Sequence, residues 1–132
     1  MVDTNVLLSS FIGSGPPRQI LNRIRDGLDL LCLSAQILEE YLEVLQRAGV
    51  SDDLLSPLFF LFQDPDRVNL ITPTRRVALI RDDPSDNKFL ECAIEARADY
   101  LISGDRHLRR LRRFEDIEIV TPREYLSRLR QE

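Results

Sequence analysis

Short apolar runs alternate along this chain with stretches in which apolar residues recur every three or four positions. The runs read as buried strands and the recurring stretches as amphipathic helices. Residues 1–8 (MVDTNVLL) begin as a strand. The loop at 13–17 (GSGPP) breaks the chain, with Pro17 suited to open a helix and Gly27 to close it. Ile20, Leu21 and Ile24 lie between them at helical spacing. Residues 30–34 (LLCLS) form a strand. Residues 35–48 form a helix with Ile37, Leu38, Tyr41, Leu42 and Leu45 on one side and Gly49 as its stop. A further helix is expected at 52–63 and a strand at 68–72. An acidic turn follows at 82–87, then a helix to about Ala98 and a strand at 99–103. A short helix at 106–113 and a strand at 117–121 come next. Thr121, Pro122 and Glu124 make a capping box with proline at the first helical position, so a last helix fills 122–131.

Strands that alternate with helices imply an α/β fold, a parallel sheet covered on both faces. In such sheets the site lies beyond the carboxyl ends of the strands. At 132 residues, with no repeat, low-complexity tract or linker, the chain reads as one domain, 1–132. No apolar run approaches the ~18 residues of a membrane span, and no leader precedes residue 20, so a cytoplasmic location is expected. Cys32 and Cys92 sit in apolar settings and read as buried hydrophobes in a reducing compartment.

The formal charge of −4 argues against a generally basic nucleic-acid binder. Of the 18 basic residues, however, only Lys88 is a lysine. Arginine's planar fork suits phosphate and carboxylate, although biased composition explains such an excess equally well. His107 is the one histidine. It cannot supply a two-histidine acid–base pair or a three-histidine zinc site. Carboxylates are what remains for chemistry.

Asp3 ends the expected first strand, Asp105 follows a later one, Asp86 opens a helix, and Glu40 lies inside another. If the first and fourth strands are neighbours, Asp3 and Asp105 meet at one rim of the sheet. At about 100° per residue, Glu40 falls at the edge of the stripe made by Ile37, Tyr41, Val44 and Leu45, Glu39 falls at the other edge somewhat further out, and Glu43 points away, so geometry separates Glu40 from Glu39 only slightly. Each acid alone has a plainer role: a helix cap for Asp86 and Asp105, a turn for Asp3, a solvated helix position for Glu40. Brought together, they would repel one another unless a cation or raised pKa values intervened. Hard oxygen donors select Mg²⁺ or Mn²⁺. Such an ion suits phosphodiester hydrolysis or another phosphoryl transfer.

These segments resemble a known family. The residues are Asp3-Thr4-Asn5-Val6-Leu7, Ile37-Leu38-Glu39-Glu40-Tyr41-Leu42, Asp83-Pro84-Ser85-Asp86-Asn87-Lys88-Phe89-Leu90, Ser103-Gly104-Asp105 and Ile119-Val120-Thr121-Pro122-Arg123-Glu124-Tyr125-Leu126. In order and spacing they resemble the PIN domain, and more narrowly the PIN proteins of bacterial and archaeal toxin–antitoxin pairs, relatives of the VapC toxins. The resemblance implies a three-layer α/β/α sandwich with a central parallel sheet. It implies a Mg²⁺- or Mn²⁺-dependent ribonuclease that forms a homodimer and is inhibited by a small antitoxin. The acids carry over as Asp3, Glu40, Asp86 and Asp105, with Asn5 and Ser103 as polar companions and Asp83 as an extra acid. Only Met1 and Val2 precede Asp3, fewer than family members usually carry. Either the first strand is short or the true start lies upstream.

Two further segments bear on partners. Residues 106–114 (RHLRRLRRF) place Arg106, Arg109 and Arg110 beside Asp105 as candidate RNA contacts, or else as solvated positions on a helix. The run LFFLF at 58–62 is either core or an apolar groove for a dimer or antitoxin. The alternative to a nuclease is a module of the same fold that binds an antitoxin or RNA without cleaving. A phospho-acceptor or a phosphatase fits poorly, since position 5 is Asn5 and residues 117–121 contain no lysine.

Overall fold

The computed structural model describes residues 1–74, 76 and 86–131. Its helices are α1 (Thr4–Ile12), α2 (Pro16–Arg25), α3 (Ala35–Arg47), α4 (Asp52–Phe62), α5 (Asn87–Glu95), α6 (Arg106–Arg109) and α7 (Pro122–Gln131). Its strands are β1 (Leu31–Ser34), β2 (Val68–Ile71), β3 (Tyr100–Ile102), β4 (Arg113–Phe114) and β5 (Ile117–Val120). Strands β1 and β2 pair in parallel, as do β3 and β5. Val2 makes a single parallel bridge to Ile102, so the amino terminus lies along β3. The terminal ammonium donates to the Tyr100 carbonyl (3.1 Å). The hydroxyl of Tyr41, fully buried on α3, donates to the Val2 carbonyl and pins the bridge from the other side.

Side chains alternate across a strand, so β3 reports on both faces of the sheet. Tyr100 meets Tyr125 of α7 edge-on at 5.1 Å. Leu101 points the opposite way and is fully buried, and α5 packs on β1 and β3. Both faces are therefore covered, as expected of an α/β sandwich. Cys32 and Cys92 are buried and unpaired with each other, and burial pushes the Cys92 thiol up to about 12. Among the described residues, no helix is long and apolar enough to cross a membrane.

The structure corrects two expectations. Residues 1–8 are not a strand with a turn: the strand is reduced to the Val2 bridge, and α1 begins at Thr4. The side chain of Asp3 accepts from the Val6 N–H (2.8 Å), which satisfies a helix-start donor and lets α1 nucleate at once. Val6, Leu7 and Ser10 then form its buried side. A short apolar run does not by itself separate a strand from a buried helix. The helix expected at 106–113 stops at Arg109, and Arg113–Phe114 instead pairs antiparallel with β5. Arg112 (φ 57°) and Glu115 (φ 54°) adopt left-handed backbone on either side of β4. Such conformations cost non-glycine residues roughly 1 kcal/mol or more each. The buried Ile117 and the packing of Phe114 against the core offset that cost.

Candidate active site

The starts of α1, α5 and α6 meet one side of α3 at a pocket of about 320 Å³. Asp3, Glu40, Asp86 and Asp105 all line it, together with Asn5 and Lys88. Each acid arrives on a different element. Asp3 caps α1, directly after the Val2 bridge. Asp105 follows β3 by three residues and caps α6, its Oδ1 accepting from the His107 N–H (2.7 Å). Asp86 stands at the start of α5 and Glu40 in the middle of α3. Glu40 is half-buried and Glu39 is exposed; Glu43, expected to point away to solvent, is exposed but lines the same pocket. Asp83 lies outside the described residues.

The plainer roles weighed for these acids divide. Asp3 and Asp105 are helix caps as well as pocket residues. Asp86, in contrast, makes no side-chain capping bond to α5 although it is 9% exposed. Helix capping therefore does not account for an acid at this position.

Hydrogen bonds fix two of the carboxylates through residues on other elements. Ser103, fully buried, donates its hydroxyl to Asp3 Oδ2 and accepts from the Asp105 N–H (2.9 Å), so it ties the two aspartates together. Burial lifts the Asp3 carboxyl above its ordinary range. Bonds from Ser103 and Val6 pull it back, and the charge of Asp105 raises it again. Glu40 is held differently: Oε1 takes the Lys88 ammonium (2.7 Å) and Oε2 takes the Thr4 hydroxyl. Asn5 is exposed at the pocket wall.

The expected cage is therefore only partly assembled. Among the described residues, no three Asp, Glu, His or Cys side chains converge closely enough to hold a metal ion. Glu40 is turned to Lys88 and Thr4, while Asp3 and Asp105 each accept a capping N–H with one oxygen. Lys88, Thr4, Glu43 and Arg47 also line the pocket, and sequence reasoning assigned none of them to the site. One signal was present, because Lys88 is the lone lysine among 18 basic residues and stands two positions after Asp86. Thr4 offered none.

Acids from four separate elements thus line one pocket. A PIN domain family model matches residues 1–107, most of the chain, and the chain belongs to that family. Neither the curated proteins nor the solved structures give a match.

Proposed function

We propose that the protein is a Mg²⁺- or Mn²⁺-dependent endoribonuclease whose active site is the pocket around Asp3, Asp86 and Asp105. The observation that carries this reading is the convergence of Asp3, Glu40, Asp86 and Asp105 on one pocket from four elements far apart in sequence. The donor set fits a hard divalent ion: it is all carboxylate, with no nitrogen or sulfur. Asp3, Asp86 and Asp105 would hold such an ion, which when bound supplies activation of water and charge stabilisation at phosphorus.

The chain's own groups divide the remaining work. Ser103 keeps Asp3 and Asp105 in mutual register. Glu40 lines the pocket with the aspartates and, through its ion pair, holds the Lys88 ammonium there. That ammonium is placed to offset negative charge when a phosphodiester enters. Asn5, at the rim, offers an amide to the substrate.

The family membership supports nucleic-acid hydrolysis at the coarse level. RNA as substrate, a cytoplasmic toxin role, a small antitoxin partner and a homodimer are part of the same proposal. The run at 58–62 splits in a way consistent with a partner. Leu58 and Phe62 are buried, while Phe59 and Phe60 are exposed beside a groove between α3 and α4. The second reading is a PIN-fold module that binds but does not cleave. The ion pair that engages Glu40 favours it to that extent.

Cleavage of labelled RNA separates the two. Asp3→Asn keeps a capping oxygen for Val6, so the fold should survive. Turnover should fall by about 100-fold or more, since even groups behind a metal ligand are worth roughly 10- to 100-fold. Excess EDTA should abolish cleavage and added Mn²⁺ restore it. Equal cleavage by Asp3→Asn, or full activity in EDTA, rejects the mechanism.

A further inference from the structure

Among the described residues, a dense cluster of arginines lies outside the acidic pocket. A cavity of about 830 Å³ opens between α6, β4, β5 and α7. Arg106, Arg109, Arg110, Arg112, Arg113 and Arg128 line it, against only Glu118 and Glu124. This runs counter to the chain as a whole, which carries −4. Arg128 is engaged by Glu118 (2.9 Å). Arg106, Arg109, Arg112 and Arg113 are exposed. All of these arginines except Arg106 lie beyond the residues on which family membership rests.

We propose that this basin seats the sugar–phosphate backbone of single-stranded nucleic acid and presents it to the acidic pocket. The proposal rests on the nuclease reading for its purpose but not for its test. Guanidinium groups match phosphate oxygens in paired, planar hydrogen bonds. The basin has no stacking platform: Phe114, the aromatic residue of the neighbouring strand, packs against the core. Contacts are therefore with backbone rather than base, and sequence preference is weak. The two sites are joined by α6. Its cap, Asp105, belongs to the acidic pocket, and its first residue, Arg106, belongs to the basin. Asp105 and Arg106 are consecutive, so the two sites adjoin at the start of α6. The arrangement also answers a physical problem, since an acidic pocket repels a polyanion unless positive charge beside it draws the strand in.

The test is fluorescence anisotropy of a labelled, mixed-sequence RNA of about 12 nucleotides with the full chain, in EDTA, from about 50 to 200 mM salt. Arg109→Gln/Arg112→Gln/Arg113→Gln should weaken binding by about tenfold or more. It should flatten the slope of log K against log salt by about 2, at roughly 0.7 for each phosphate no longer neutralised. Arg25→Gln/Arg130→Gln, also exposed but outside the basin, should change affinity by less than about twofold. An unchanged slope in the triple variant, or an equal loss in the control, overturns the proposal. Should the triple variant fail to fold by circular dichroism, Arg109→Gln and Arg113→Gln singly should each flatten the slope by about 0.7. No flattening in either overturns it. Unlabelled single-stranded DNA of the same sequence should compete as RNA does; failure to compete overturns phosphate-only contact. A polyglutamate peptide that displaces the RNA more effectively than unlabelled RNA overturns it in favour of an acidic protein partner. The outcomes separate from the nuclease reading as well. If Asp3→Asn cleaves like the wild type while the triple variant loses binding, the catalytic assignment fails and the basin stands.

Discussion

The acidic pocket and the arginine basin adjoin along α6, yet they are built in opposite ways. The pocket is small, and its carboxylates are buried or half-buried and tied down: Asp3 by Ser103 and Val6, Glu40 by Lys88 and Thr4, Asp105 by its cap on α6. The basin is more than twice as large, and most of its arginines project into solvent. The difference follows from what each charge has to do. Groups that act on a reacting phosphorus must be fixed within tenths of an ångström, so the fold spends hydrogen bonds on them. Groups that collect a flexible polyanion act through summed charge and tolerate loose placement. The two sets should therefore separate under mutation, one controlling turnover and the other capture.

The largest effect should come from Asp86→Asn. Asn keeps the size and one oxygen of Asp86, so the fold should survive while cleavage falls by about 100-fold or more. RNA affinity in EDTA should hold or rise slightly, because a negative charge has left the rim. Matched kinetic, anisotropy and melting measurements decide this. Parallel losses in binding and cleavage would mean that the two regions are one site.

Leu108→Ala comes next and should break the separation on purpose. Leu108 is the fully buried anchor of α6, between Asp105 and the arginines that follow. Truncating it should cost about 2–4 kcal/mol of stability. Through the shared helix it should degrade capture and turnover together, an effect that no single charge change should reproduce. Denaturant melts alongside both assays provide the check.

Lys88→Met sharpens the pocket alone. Removing the ammonium that faces Glu40 leaves the acids with one fewer positive neighbour. Mn²⁺ affinity by calorimetry should rise, about tenfold for a charge lost at this range in a partly solvated site. RNA affinity in EDTA should not improve. Weaker Mn²⁺ binding would show that Lys88 positions Glu40 for the ion rather than competing with it.

Much of this was legible in the sequence, for reasons that differ by element. The helices α3 and α5 show through because apolar residues recur at helical spacing, and α7 because the Thr121–Glu124 box closes as written, with N–H bonds of 3.1 and 3.3 Å. Asp3 and Asp105 were expected at one rim only on the condition that the first segment neighbours the strand at 99–103, and Val2 does bridge to Ile102 of β3. The early start of α1 was not foreseen, because Val6 and Leu7 look the same in a strand as in a buried helix until Asp3 is seen to cap. Nor was β4 foreseen, since positive φ at Arg112 and Glu115 leaves no mark in residue type. The order of the four acids along the chain was readable; the engagement of Glu40 by Lys88 and Thr4 was not. It depends on how α1, α3 and α5 pack, which no local pattern encodes.

The smallest expected effect tests the basin's internal balance. Arg128 reaches Glu118 through two guanidinium bonds to one oxygen, at 2.9 and 3.0 Å. Glu118 keeps the Arg128 guanidinium protonated even more firmly than usual, chiefly through that hydrogen bond and then through its charge. An ion pair open to solvent contributes little to folding, so Arg128→Gln should barely move the melting temperature. Its effect should appear in binding instead. Without Arg128, the Glu118 charge faces the entering phosphates uncompensated, and the basin loses positive charge as well. RNA affinity should drop by about threefold, with a salt slope reduced by less than the roughly 0.7 that a direct phosphate contact is worth. Arg128→Gln/Glu118→Gln should recover most of the loss, because the uncompensated glutamate goes with its partner. Recovery assigns Arg128 to neutralising Glu118. A double variant as weak as the single one, with the full slope change, would instead make Arg128 a phosphate contact in its own right.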